Sequence, residues 1–370
     1  MPLIAAALLV AVASYVGVAL VRFYAPRVGF FDLPNERSSH ARPIPSGGGL
    51  AFVVITLGAW WWLLEFHPSI PLVQAIRTQH ALAFIIAGAL IAGISLIDDL
   101  GHVPVVFRLA VHAIGAAVFV AFFAWWSALN LPLLGWVTLG TAGVFISIFW
   151  IVGMVNAYNF IDGLDGMAGG QAAAAGLGWV ALGFSTGHFA IEAMGALLAA
   201  SSIGFLFHNW HPARIFMGDV GSTFLGFCFA ILPIIAAQYD PRLALAGVLL
   251  VWPALFDTGF TIVNRLRRGE NVFTGHKEFL FHRLVAAGWS HAAASTLYFT
   301  LPLAGAGLAF TWQYGSTSLH VAALCSIVLL CVGLWALVRD QEKRHLAQLQ
   351  EVPSADSMRP EPARRVAGRV

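Results

Sequence analysis

Charge is what this chain has least of. Only 10% of its 370 residues are Asp, Glu, Lys or Arg, while 59% are hydrophobic and 13% aromatic. A soluble domain carries about a quarter charged residues, so a water-soluble globular fold is excluded and lipid is the solvent. Cysteine is scarce as well. Cys228, Cys325 and Cys331 all fall in apolar runs, which argues against a disulfide framework or a cysteine metal site. The chain shows no internal repeat and no separate polar domain. It also lacks the basic start of a secretory signal. Ala11-Val12-Ala13 resembles a cleavage site, but the first positive charge, Arg22, follows the apolar run.

Long apolar runs are what it has instead. Eleven are long enough to cross a bilayer core, at about 3–22, 47–64, 80–97, 105–126, 136–155, 168–186, 189–207, 220–239, 242–263, 291–313 and 319–338. The expected fold is therefore all-α, a polytopic membrane protein of about eleven transmembrane helices. Residues 1–338 form the membrane domain. Residues 339–370 form a polar tail, with a short helical extension followed by disorder. Of the 20 Lys and Arg residues, 18 fall in or beside the segments that share one side with the tail, the exceptions being Arg77 and Arg242. The positive-inside rule makes that side cytoplasmic.

Six carboxylates sit on the same side, at the ends of apolar runs or just inside them: Asp98, Asp99, Asp162, Asp165, Asp219 and Asp257. An acid beside hydrocarbon costs several kcal/mol unless it is paired, hydrated or bound to a cation. Such a set suits a divalent metal held against a phosphorylated substrate. Asp98 and Asp99 repel each other, which favours a shared cation. In Asn156-Ala-Tyr-Asn159-Phe-Ile-Asp162-Gly-Leu-Asp165-Gly166, polar residues recur every three positions and stack on one side of a helix end. Asp219 lies among glycines at a helix start, where it suits both an N-cap and a cation bridge to phosphate. Arg42, in a Pro/Gly-rich loop ending Gly47-Gly48-Gly49, supplies charge for a phosphate. The 264–290 loop gathers Arg265, Arg267, Arg268, His276, Lys277, His282 and Arg283 into clusters of phosphate size. Asp257 reads as structural, paired with a nearby cation.

Four motifs together resemble one family: Pro-Asn-x-Arg-x-x-His-x-x-Pro-x-Pro-x-x-Gly-Gly at 34–49, Asp98-Asp99, the 156–166 motif, and Phe-Met-Gly-Asp-x-Gly-Ser at 216–222. The family is the polyprenyl-phosphate N-acetylhexosamine-1-phosphate transferases. Phe256-Asp257-Thr258 and the helix count resemble its WecA/WbpL-type branch, which starts O-antigen and other surface glycans. The resemblance implies transfer of a sugar phosphate from a UDP-N-acetylhexosamine to undecaprenyl phosphate, releasing UMP, with Mg2+ or Mn2+. It implies Asp219 as metal ligand, Asp98 as base or orienter for the lipid phosphate with Asp99 beside it, and a catalytic His282. Asn159, Asp162 and Asp165 would shape the nucleotide pocket, Phe216 would stack the uracil, Asn209 would line the cleft and Arg42 would contact phosphate. The implied partners are both substrates and membrane lipid, with no nucleic acid; a homodimer is open. A peptidoglycan-type phospho-N-acetylmuramoyl-pentapeptide transferase is the alternative. A transporter is the rival from another class, but it would place its acids near the bilayer midplane.

The chain departs from the family pattern in two places. Val106 and His112 stand where the family has an Arg and a Gln. In the histidine cluster near the ninth helix, Phe279 and Phe281 replace two imidazoles and His282 remains, with His276 as a possible substitute. Aromatic faces suit an apolar C6 methyl. The sequence therefore favours UDP-N-acetylfucosamine or UDP-N-acetylquinovosamine over UDP-N-acetylglucosamine, with Phe281 reading the sugar.

Overall fold

A computed structural model describes residues 3–32, 42–66, 78–131, 134–272, 274 and 276–351. The long helices are α1 (Leu3–Tyr24), α2 (Gly48–Phe66), α3 (Thr78–Gly101), α4 (Val105–Phe122), α5 (Ala142–Ile161), α6 (Met167–Thr186), α7 (Phe189–Asn209) and α8 (Asp219–Ala237). A bent pair follows, α9 (Arg242–Leu250) and α10 (Trp252–Arg267), then the short α11 (Leu280–Ala286), α12 (His291–Tyr314) and α13 (Thr317–Glu351). Two antiparallel ribbons complete the described chain: β1 (Phe31–Asp32) with β2 (Ile44–Pro45), and β3 (Ala128–Leu131) with β4 (Gly135–Thr138).

The all-α expectation holds, and each of the eleven apolar runs contains a helix. Among the described residues, eight helices are long and apolar enough to span a membrane, nine if the bent pair is one span. α2, Gly48–Phe66, is 19 residues long, of which Gly48–Leu63 is fully described, and α6, rich in Gly and Ala, does not qualify. Eleven crossings are thus not established by length and composition. The run expected from residue 136 begins as strand β4 and becomes helical only at Ala142. Trp136, Val137 and Thr138 are aromatic or β-branched, types that favour a strand. The ninth run bends by 73° between α9 and α10. Pro253, in the first turn of α10, has no N–H to continue the ladder from α9.

Helix α8 is the centre of the bundle. Every residue from Val220 to Ala237 is buried, as expected of a helix that is apolar on all faces. Helices α2, α3, α5 and α9 pack around it. Close packing at its start depends on two glycines. A Cβ on Gly49 would stand 2.5 Å from the Gly221 Cα, so α2 and α8 meet backbone to backbone. The outer helices expose apolar side chains that suit lipid, such as Ile4, Leu8 and Val12 of α1. Helix α13 runs past residue 338 to Glu351, so the first part of the expected tail is helical. Residues 352–370 lie outside the described chain.

Candidate active site

One end of the bundle gathers the last turns of α3, α5 and α7, the segments just before α2, α6 and α8, the first residue of α8, and α11 around a cavity of about 380 Å³. Eight of the ten expected site residues line it: Asp99, Asn159, Asp162, Asp165, Asn209, Phe216, Asp219 and His282. The other two do not. Asp98 and the exposed Arg42 are not among its lining residues. Residues 33–41 of the first motif lie outside the described chain.

Asp98 and Asp99 face different partners. Asp98 accepts hydrogen bonds from Arg108 and from the Val103 N–H at 2.6 Å. Arg108 also reaches Asp219 at 3.1 Å, so one guanidinium is shared by two carboxylates. Asp99 accepts from the N–H groups of Asp219 (2.8 Å) and Val220 (3.0 Å). The N-cap of α8 is therefore supplied by another helix, which leaves the Asp219 carboxylate free of capping.

The 162–166 turn forms the opposite wall. Asp162 closes the end of α5. Burial, reinforced by the charges of Asp219, Asp99 and Asp165, pushes its pKa up to about 8. Asn209 accepts from Gly166 N–H and donates to the Ile215 carbonyl, both at 3.0 Å, so its amide positions the walls. Phe216 is fixed by its backbone, with its N–H on the Pro45 carbonyl and its carbonyl on the Gly48 N–H, both 2.9 Å. Asn156 turns back onto the Val152 carbonyl at 2.7 Å and misses the cavity.

His282 enters from α11. A Cβ on Gly163 would stand 2.9 Å from its Nε2 and 2.8 Å from Phe281, so only glycine lets the imidazole lie on the turn. Burial, with the charges of Lys277, His276 and His291 adding to it, lowers the His282 pKa to about 4. The ring is neutral at pH 7, and its Nδ1 is buried with no partner among the described residues. Phe279 and Phe281 are 5% and 0% exposed, stacked on each other behind His282 and absent from the cavity lining. They cannot touch a sugar there, and the inference toward a deoxy sugar loses its basis. His276 packs against Phe279 and does not line the cavity.

Two further expectations change. Arg265 and Arg268 pair with Glu270 and Glu278, and Arg283 pairs with Glu342. These arginines clasp the loop and do not form a phosphate site. Asp257 is not paired with a cation. It is fully buried and accepts from Tyr298 Oη (2.5 Å), Leu280 N–H (2.7 Å) and Phe281 N–H (3.3 Å), capping α11 from beneath.

The lining carries five carboxylates (Asp32, Asp99, Asp162, Asp165 and Asp219) and, among the described residues, no Lys or Arg. An all-oxygen acidic set of this kind fits a hard divalent cation. The profile of glycosyl transferase family 4 matches residues 81–237. A decaprenyl-phosphate N-acetylglucosaminephosphotransferase of Mycobacterium leprae is 32% identical over 344 residues, 86% of either chain. The chain belongs to glycosyl transferase family 4. A probable undecaprenyl-phosphate N-acetylglucosaminyl 1-phosphate transferase of Bacillus subtilis is 31% identical over 74% of either chain. A phospho-N-acetylmuramoyl-pentapeptide-transferase of Synechococcus is 32% identical over 53% of this chain and 58% of its own.

The family 4 profile covers the motifs at Asp98, Asn156–Gly166 and Asp219 but stops before the His282 loop. Sequence reasoning missed three residues of the cavity in this family 4 protein: Phe30, Phe31 and Asp32. The available signal was Asp32, an acid two residues ahead of the Pro34-Asn35 motif and soon after an apolar helix. Its neighbours are brought in by the β1–β2 ribbon and by the Ser46 N–H on the Phe30 carbonyl at 3.2 Å.

Proposed function

We propose that this multi-pass membrane enzyme transfers N-acetylhexosamine-1-phosphate from a UDP-sugar to undecaprenyl phosphate, starting a lipid-linked surface glycan such as O-antigen. One observation carries this reading: five carboxylates line one cavity at the end of an apolar bundle, and Arg108 joins one of them, Asp219, to Asp98. In the transfer a P–O bond forms between the lipid phosphate and the β-phosphorus. The bond from that phosphorus to the bridging oxygen breaks, and UMP leaves. Two anions must meet, which demands positive charge. Asp219, with Asp99 and Asp162 beside it, would hold Mg2+, or Mn2+ in its place; the ion would screen the pyrophosphate oxygens. Arg108, held by Asp98 and Asp219, presents its charge beside them, so Asp98 acts as the orienter of Arg108. Neutral His282 offers an N–H to a phosphate oxygen. Phe216 offers a face for the uracil, on walls that Asn209 ties together.

We favour UDP-N-acetylglucosamine as donor, because the relatives matched over most of the chain are named for that sugar and Phe279 and Phe281 do not reach the cavity. The muramoyl-pentapeptide reading has a likeness over only about half the chain. The positive-side bias supports a cavity end on the cytoplasmic face of a bacterial plasma membrane. Purified protein in detergent with undecaprenyl phosphate, Mg2+ and a panel of UDP-sugars tests the proposal. UMP release is expected with UDP-N-acetylglucosamine, and EDTA should abolish it. No UMP release with any donor would overturn the reading.

A further inference from the structure

One cluster of side chains with metal-ligand spacing lies at the rim of the cavity, and its two histidines have no part in the proposed transfer. His211, in the loop after α7, and His291, the first residue of α12, converge on Asp165. One donor atom from each of the three lies within 4.8 Å of the other two. His211 Nδ1 donates to Asp165 Oδ2 at 2.7 Å, and the two imidazole centres are 5.5 Å apart. The Nδ1 of His291 is buried and has no hydrogen-bond partner among the described residues. Leaving a buried polar nitrogen unsatisfied is costly, which points to a partner supplied by a ligand.

The surroundings hold the three groups in place. Ala213 N–H donates to Asp165 Oδ2 at 3.0 Å, and Ser295 Oγ donates to the Asp165 carbonyl at 2.7 Å. Such outer contacts orient ligands before an ion arrives. The His211 side chain is 39% exposed, which leaves an entry path and room for a water in an open coordination position.

We propose that Asp165, His211 and His291 form a binding site for a borderline divalent transition-metal ion of the zinc type, separate from the oxygen-donor cluster at Asp99, Asp162 and Asp219. Two imidazoles and one carboxylate suit Zn2+ or Co2+, whereas Mg2+ prefers oxygen ligands and keeps its waters. The ion joins three segments that are far apart in sequence: the 162–166 turn, the loop after α7 and the start of α12. Asp165 also lines the cavity, so occupancy of the site fixes the spacing of the cavity wall at that edge.

The test uses the full chain in detergent without a histidine tag, stripped with EDTA and dialysed against Zn2+ in excess Mg2+. Metal content is read by mass spectrometry. About one equivalent of zinc per chain is expected, retained in His276→Ala and lost in His211→Ala and in His291→Ala. Zinc well below one equivalent in the wild type, or equal zinc in all three variants, overturns the site. Co2+ loaded into the wild type supplies a measurement that does not depend on the folding of any variant. Visible d–d absorption that zinc displaces supports the site, and its absence overturns it. The readout is metal content and not turnover, so the result is independent of the transfer reaction.

Discussion

Asp98 and Asp99 are adjacent in sequence, yet the last turn of α3 aims one carboxylate at Arg108 and the other at the exposed amides of α8. Position in the sequence marked both as costly acids and could not divide their work, because the division depends on where α8 begins. The Asp219 carboxylate, relieved of capping by Asp99, is free to face the cavity. Asp219→Asn keeps the shape and removes the charge, and should lower turnover by roughly 10²–10³-fold or more with the protein still folded. Glu192→Gln, in the first turn of α7 away from the cavity, should leave turnover unchanged. UMP release at the wild-type rate from Asp219→Asn would show that its charge is not used. Gly163 belongs to the same scale. The methyl of Gly163→Ala would collide with His282 and Phe281. Overpacking costs about 1–3 kcal/mol, so a lower melting temperature and a lower kcat are expected, and a variant with neither change would remove His282 from the turn.

At the scale of elements, the apolar runs predicted the helices because a bilayer span needs about 20 apolar residues and little else imitates that length. The acids at their ends were legible for the complementary reason, since no packing need explains an Asp beside hydrocarbon. Partners were not legible. The cations of the 264–290 loop read as clusters of phosphate size, but Glu270, Glu278 and Glu342 pair with Arg265, Arg268 and Arg283, one pairing reaching 59 residues along the chain. Asp257 shows the same limit: its role as a cap for α11 exists only once α10 and α11 are folded against each other. Asp257→Asn would place an amide N–H either against the Leu280 N–H or against the donors of Phe281 and Tyr298, which bond to opposite oxygens of the carboxylate. An unsatisfied buried donor costs about 1–3 kcal/mol. Thermal unfolding should shift down, and turnover should fall as α11 releases His282. If neither moves, α11 is held by the Arg283–Glu342 pair with α13 and not by Asp257.

For the molecule as a whole, the distribution of charge and the position of the cavity are two separate asymmetries that agree. The cavity lies where α3 ends and α4 begins, and where α5 ends and α6 begins. The β3–β4 ribbon joins α4 to α5 at the other end. Arg22, Arg108, Arg214, Arg265 and Arg283 all lie toward the cavity end, in the connections or terminal turns beside it, whereas Arg242 lies at the start of α9, at the opposite end. Lys and Arg resist translocation, and their bias over short loops sets orientation. The proposed reaction takes its nucleotide-sugar donor from the cytoplasm, so that proposal and the charge bias call for the same orientation. A reporter fused after residue 370 should therefore be active only in the cytoplasm. A protease-sensitive tag inserted within 67–77, a segment outside the described chain, should be cut from outside. A periplasmic C-terminus would place five carboxylates on the side without donor, and the proposed reaction would then have no route to its substrate.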